Sequence, residues 1–313
     1  MSDAAVVHAT APPNDLPPDH LRVRADARSG VRVDPELAGW RYLSFRTVTL
    51  AADGSDPVEI GGATHETAVV HLFGGDVRAE LADGGVSVLA GRPSVFEGLP
   101  SAFYLPAGRS ARLGAQGGRD APPATVAIAT APARPDVSAS LGPVLIRPED
   151  VRVETRGAGH STRQINHIID PGFPADRLLL VEVLTPAGNW SSWPPHKHDV
   201  DDMPTEAVLE EVYHYRFRRP EAWAIQRVYR PAGGSLGAAR DAVFAVRDGE
   251  AVIVTDGYHP FAATDADDAY YLNALAGDRR TMACSFDPAL DHVRSRWSGE
   301  SPDPRLPLVG RPG

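Results

Sequence analysis

Residues 188–215 read GNWSSWPPHKHDVDDMPTEAVLEEVYHY, and the segment HKHD at 196–199 decides how the rest of the chain is read. His196 and His198 are two apart. On a β-strand, side chains at i and i+2 lie on one face, so the two imidazoles converge as a divalent metal requires. Glu211 follows thirteen residues after His198, in the strand-like run LEEVYHYRF, and His259 lies forty-eight residues further on, in GYHP. Two histidines on one strand, a carboxylate on the next and a histidine on a later strand make a His3Glu set: His196, His198, Glu211 and His259.

A lone His-x-His is more often a surface or core pair than a metal site, so the flanks carry weight. Trp190, Trp193, Pro194 and Pro195 suit a shaped pocket better than a solvated edge. Glu211 sits among Leu209, Val212, Tyr213 and Tyr215, where a carboxylate is costly unless paired or metal-bound. His259 follows Gly257, as a tight turn would place it. Alternation leaves Glu210 as a rival: Glu211 shares a face with Tyr213 and Tyr215, and Glu210 with Val212 and His214. The set suits one divalent ion and does not choose among Zn, Mn, Fe and Ni.

The chain has 313 residues, enough for two ordinary domains. Its net charge of −10, with no basic stripe, speaks against nucleic acid as a partner. The single cysteine, Cys284, permits no internal disulfide and points to a reducing compartment. No secretory leader and no bilayer-length apolar run is evident. A cytoplasmic protein with no membrane partner is expected, acting on a small molecule and able to form a homo-oligomer. Gly and Pro number 29 each and recur between short Val, Leu, Ile and Tyr runs, the punctuation of an all-β chain.

Residues 1–20, rich in proline, are expected to be a disordered tail. Residues 21–142 form a first strand series, ARPDVSASLGP (133–143) reads as a linker, and 143–298 form a second series. Residues 299–313, rich in Pro and Gly, are expected to fray or to drape over the surface. The segments PSVFEGLPSAFYLPAG and EAVIVTDGYHPFAA share an order of strand, Gly turn and strand, as a duplicated small barrel would. The first half offers only His65 and His71, six apart, with no carboxylate and late histidine to match. It is therefore expected to be metal-free. No Gly-rich dinucleotide fingerprint opens a helix, so no organic cofactor is expected.

The strings GNWSSWPPHKHD, LEEVYHYRF, QRVYR, GYHP and YYLNALAG, in that order, strongly resemble the 5-deoxy-glucuronate isomerases of bacterial myo-inositol catabolism. Those are bicupins, related to the uronate isomerases of pectin breakdown. GWRYLSF and GRPSVFEGLPSAFYLPAG extend the resemblance into the first half. It implies two antiparallel β-barrel (jelly-roll) domains, an N-terminal cupin at 21–142 and a metal-bearing C-terminal cupin at 143–298. It implies the same four ligands, with Glu211 preferred to Glu210 because EVY follows it. The implied reaction is the aldose–ketose conversion of 5-deoxy-D-glucuronate into 5-dehydro-2-deoxy-D-gluconate. Such a substrate carries a carboxylate, for which Arg163, Arg177, Arg227 and Lys197 are candidate cations, Arg163 having the best family support. Substrate contacts are expected at Arg163, Gln226 and Tyr271. The catalytic group is left open among Gln226, Tyr213 and Lys197. A metal-dependent cupin dioxygenase and a non-enzymatic sugar-binding cupin are the competing readings.

Lys197 is the one lysine among 31 basic residues, and it stands between two presumed ligands. On a regular strand it points away from them. It is expected to meet an acid such as Asp199, Asp201 or Asp202, unless a bulge after Pro194–Pro195 turns it inward to the substrate.

Overall fold

The structure is a computed structural model that describes residues 18–26, 30–118, 121–231 and 239–310. Of the expected disordered tail, only Pro18–His20 lie within that range, in a short 3-10 turn, Pro18–Leu21. All the strand pairings are antiparallel, as the sequence led us to expect of an all-β chain.

Each half is built from a large and a small sheet. In the first half the large sheet runs Val144–Ile146, Ala102–Leu105, His65–Gly74, Ala124–Pro132, Ser44–Leu50, Arg32–Val33. Its small sheet runs Val58–Gly62, Arg109–Gln116, Asp76–Leu81, Val86–Leu89. In the second half the large sheet runs Arg22–Val23, Ala251–Val254, Glu210–Phe217, Ala269–Ala276, Leu178–Thr185, Arg163–Ile169, Arg152–Arg156. Its small sheet runs Trp190–Ser191, Phe261–Ala263, Trp223–Arg230, Arg240–Arg247, and His196–Lys197 pairs separately with Ser285–Phe286.

The outer strand Arg240–Arg247 alternates buried and exposed residues, as a half-solvated strand must. Leu178–Thr185 and Ala269–Ala276 are buried throughout, because they have no solvent face. Val181, Val183 and Tyr271 fill the interior of the second half. Leu180, Leu184, Tyr270, Leu272 and Ala274 pack instead with Phe45, Val70, Leu72 and Ala127 of the first. The two large sheets thus share one apolar layer.

Carboxylates bind the halves across this layer. Glu66 accepts the backbone N–H groups of Asp176, Arg177 and Leu178 at 2.6–2.8 Å and the Tyr104 hydroxyl. Glu210 accepts those of Arg41, Tyr42 and Leu43. Glu182, fully buried, pairs with Arg92 and takes the Tyr270 hydroxyl. Charge-assisted bonds of this kind are among the stronger ones in proteins.

The chain does not divide at the expected boundaries of 21 and 143. Arg22–Val23 pairs with Ala251–Val254 of the second half, and Leu21 enters that half's core. Val144–Ile146 pairs back onto Ala102–Leu105 of the first. Each of these strands caps an edge that would otherwise expose unpaired backbone groups. Of the two expectations for the C-terminal segment, its described residues, 299–310, follow the draped one. Val309 is buried and exchanges two bonds with the Gln164 amide, at 2.8 and 3.1 Å. Ser301 and Asp303 dock on Gly159 and Thr162.

Candidate metal centre

Glu211 lies on Glu210–Phe217 opposite Leu275 and Val254, so its side chain points into the interior of the second half. Glu210 faces the other way, toward the backbone of Arg41, Tyr42 and Leu43 in the first half. His198 follows the short strand His196–Lys197. His259 sits two residues after Gly257, whose φ of +79° suits glycine and whose N–H donates to Asp199. A Cβ at Gly257 would lie 2.5 Å from the carbonyl oxygen of Tyr229, so the turn has no room for another residue.

The donor atoms of His198, Glu211 and His259 fall within 4.8 Å of one another, the one such group of three among the described residues. His198 Nδ1 lies 2.9 Å from the carbonyl of Leu209, and His259 Nδ1 lies 3.0 Å from that of Gly257. A carbonyl only accepts, so each Nδ1 carries a hydrogen, and each Nε2 is left with a lone pair whenever its ring is neutral. Both Nε2 atoms then face the same oxygen, Glu211 Oε2, at 2.9 and 3.3 Å. Asn273 holds the other carboxylate oxygen at 2.7 Å. His259 Nε2 is buried with no hydrogen-bond partner among the described residues. Three ligating atoms converging in a buried place could hold a cation, and the donor set suits a divalent ion.

His196 stands beside the trio rather than within it. Its ring centre is 4.6 Å from that of His259 and 6.3 Å from that of His198. Burial, with His198 and Arg163 nearby, pushes its pKa down to about 3, and burial beside His196 brings His259 to about 3 as well. Both rings are therefore neutral near pH 7, the form in which imidazole binds a metal. Burial also acts against the charged form of His198, but the hydrogen bond and charge of Glu211 outweigh it and raise the pKa.

Above the trio opens a cavity of about 330 Å³ whose wall includes His196, His198, Glu211, Arg163, Arg156 and Trp297. Arg163 is buried; among the described residues its guanidinium bonds the Ser161 carbonyl and has no carboxylate within ion-pair distance. Burial lowers its pKa to about 10, which still leaves it charged at neutral pH.

The other candidates separate clearly. Lys197 turns away from the trio and donates to Asp199 at 2.6 Å and to Glu206 at 2.8 Å. That is the outward placement expected of it, with Glu206 in place of Asp201 or Asp202, and it removes Lys197 as a carboxylate anchor. Gln226 points inward, but its amide is spent on the Tyr215 hydroxyl and the carbonyls of His259 and Pro260. It supports the His259 turn. Tyr213 and Tyr271 lie deeper, their hydroxyls on Ser192 and Ser191. Arg177 pairs with Asp278 over the Tyr42 ring, and Arg227 pairs with Asp241 in the open. Neither can serve as the carboxylate anchor. Asn273 escaped sequence reasoning; its one signal was an amide inside the otherwise apolar run AYYLNALA. Arg156, Cys284 and Trp297 on the cavity wall left no local signal.

Residues 19–293 match the model of the KduI/IolB family. The chain is 36% identical over 264 residues to 5-deoxy-glucuronate isomerase of Geobacillus kaustophilus, covering 84% of this chain and 90% of that one. It is 35% identical to the enzyme of the same name from Geobacillus thermodenitrificans, covering 87% and 91%. Among solved structures it superposes on an IolB-like protein from Salmonella typhimurium LT2 with a TM-score of 0.77 and 33% identity, covering 87% and 98%. It shares the fold, at 12% identity and a TM-score of 0.56, of Lactobacillus farciminis oxalate decarboxylase, covering 83% and 87%. The paired antiparallel sheets of each half agree with those matches: the chain belongs to the KduI/IolB family.

Proposed function

We propose that this protein is a 5-deoxy-glucuronate isomerase, converting 5-deoxy-D-glucuronate to 5-dehydro-2-deoxy-D-gluconate in myo-inositol catabolism. One observation carries this beyond the family likeness. His196, His198 and Glu211, which with His259 make a cation-seeking set, line the same cavity as a buried arginine that has no carboxylate partner among the described residues. A hydroxy-aldehyde with a distant carboxylate is complementary to both.

His198, Glu211 and His259 would hold one divalent ion, with His196 as the fourth ligand. When bound, it would supply Lewis acidity toward the carbonyl and adjacent hydroxyl oxygens. The chain's own residues do the rest. Arg163 binds the substrate carboxylate, and a charge-assisted pair there relieves an unpaired buried charge. Asn273 fixes the carboxylate of Glu211. Gln226 holds the carbonyls of the His259 turn. Trp193 and Trp297 wall the cavity from water. Burial raises the Tyr213 hydroxyl well above its usual pKa, so it stays protonated and does not serve as a base. The reaction moves one hydrogen from the hydroxyl-bearing carbon to the neighbouring aldehyde carbon and one proton between their oxygens. It is redox-neutral, so no nicotinamide or flavin is required. We place the enzyme in the cytoplasm; no helix among the described residues is long and apolar enough to cross a membrane.

The test is incubation of metal-loaded protein with 5-deoxy-D-glucuronate, followed by NMR. The aldehyde signal should give way to a hydroxymethyl group next to a ketone, with no added cofactor. Oxygen uptake with a catechol or thiol and no isomerisation would favour a dioxygenase. Binding without turnover by metal-loaded protein would favour a sugar-binding protein.

A further inference from the structure

We infer that the mouth of the first half is a second binding site, for a small carboxylate-bearing polyhydroxy anion, built where the second half has its metal ligands. The strand registers place the two sites on one plan. Glu211 lies opposite Val254, the last residue of its short neighbour, and opposite Leu275 on the other side. Thr67 lies opposite Leu105, the last residue of the corresponding short strand, and opposite Thr130. The same register matches Ile128 to Asn273 and Arg46 to Val181. The first half has therefore lost its carboxylate and its amide and gained a cation.

Three observations make this mouth a site. It encloses about 410 Å³, lined among others by Arg32, Ser44, Arg46, His65, Thr67 and Thr130. Thr67 is 1% exposed, and its hydroxyl has no hydrogen-bond partner among the described residues. A buried orphan hydroxyl is costly unless something else bonds it. Arg32 and Arg46 are directly opposed across their strands, where like charges repel. The carboxylates at the rim are already engaged: Asp34 holds Arg32, and Glu59 holds Arg112. Arg46 is left half-buried, with no carboxylate at ion-pair distance among the described residues. An oxyanion between the two guanidiniums would turn the repulsion into attraction, and a hydroxyl on the same molecule would satisfy Thr67. That pairing of groups defines a sugar acid rather than a bare anion.

The experiment is calorimetric titration of the metal-loaded protein with D-glucuronate, and separately with inorganic phosphate, alongside thermal denaturation. The proposal expects two D-glucuronate sites, one weakened at least tenfold by Arg46→Met and by Thr67→Val, the other weakened by Arg163→Met. Without ligand, Arg46→Met should melt no lower than the parent, because a repulsion has been removed. A single site that ignores Arg46→Met overturns the inference, and so does an Arg46→Met protein that melts well below the parent, since Arg46 would then be a structural residue. Phosphate binding at the Arg46 site as tightly as D-glucuronate overturns the sugar-acid assignment. Because the readout is binding dependent on Arg46, it does not rest on the isomerase assignment.

Discussion

Thr67 and Glu211 occupy the same station in two sheets of one plan, yet their surroundings differ in kind. Around Glu211 the neighbours are histidines and an amide, arranged so that metal-ligating atoms converge. Around Thr67 they are hydroxyls and opposed arginines. A barrel mouth is thus a frame of fixed stations, and the side chains at three or four of them decide whether it attracts a cation or an anion.

The sharpest way to break this contrast is to remove a ligand. His259→Ala should lose the metal and lower kcat/KM by about a thousandfold, the several kcal/mol that a metal ion supplies. His71→Ala in the first half should keep about one metal per chain by elemental analysis. Metal retained by the first variant, or lost by the second, would erase the distinction. A chelator should lower the melting temperature of the parent and spare that of His259→Ala, because only a native-state ligand stabilises.

The arginines come next. Arg163→Met should reduce kcat/KM roughly a hundredfold, mostly through KM, as loss of a charge-assisted pair with substrate would. Arg163→Lys should recover part of it. A purely catalytic defect with unchanged KM would show that Arg163 does not bind the substrate carboxylate. Asn273→Ala should weaken metal affinity by roughly 10–100-fold, the usual effect of losing a group that orients a ligand. Competition against a colorimetric chelator would measure this, and an unchanged affinity would make the Asn273–Glu211 bond incidental.

The smallest functional effect is expected at Lys197. Lys197→Met removes the partner of two buried carboxylates and should cost about 1–3 kcal/mol of stability, less than a fully buried pair because the ammonium keeps some solvent. KM should stay near the parent value. A large rise in KM at normal stability would place Lys197 in the substrate pocket.

Much of this was legible in the sequence, for reasons that can be stated. His-x-His announces itself because a period of two brings both rings together, and the same alternation sets Gln226 and Arg227 on opposite faces of their strand. The choice between Glu210 and Glu211 was open because their strand is buried on both faces, so either acid could have faced an interior. Arg22–Val23 gave no hint of its partner, since two residues carry no periodicity and the pairing spans most of the chain. Thr67 in HETAVV reads as an ordinary strand threonine; only its register shows what it replaces. The C-terminal residues looked loose because their anchors, Thr162, Gln164 and Asn189, lie far away in sequence.

The exchanged edge strands carry a consequence for how the chain can be handled, by an engineer or by evolution. A cut near residue 143 would leave an N-terminal fragment without Val144–Ile146 and still carrying Arg22–Val23, the edge strand its partner needs. The C-terminal fragment would have the converse defect. Neither half can be lifted out, swapped or lost as a cassette, although each looks like a complete module on paper. The duplication is bound into one inheritable unit, and the two mouths, whatever each holds, must be kept or discarded together.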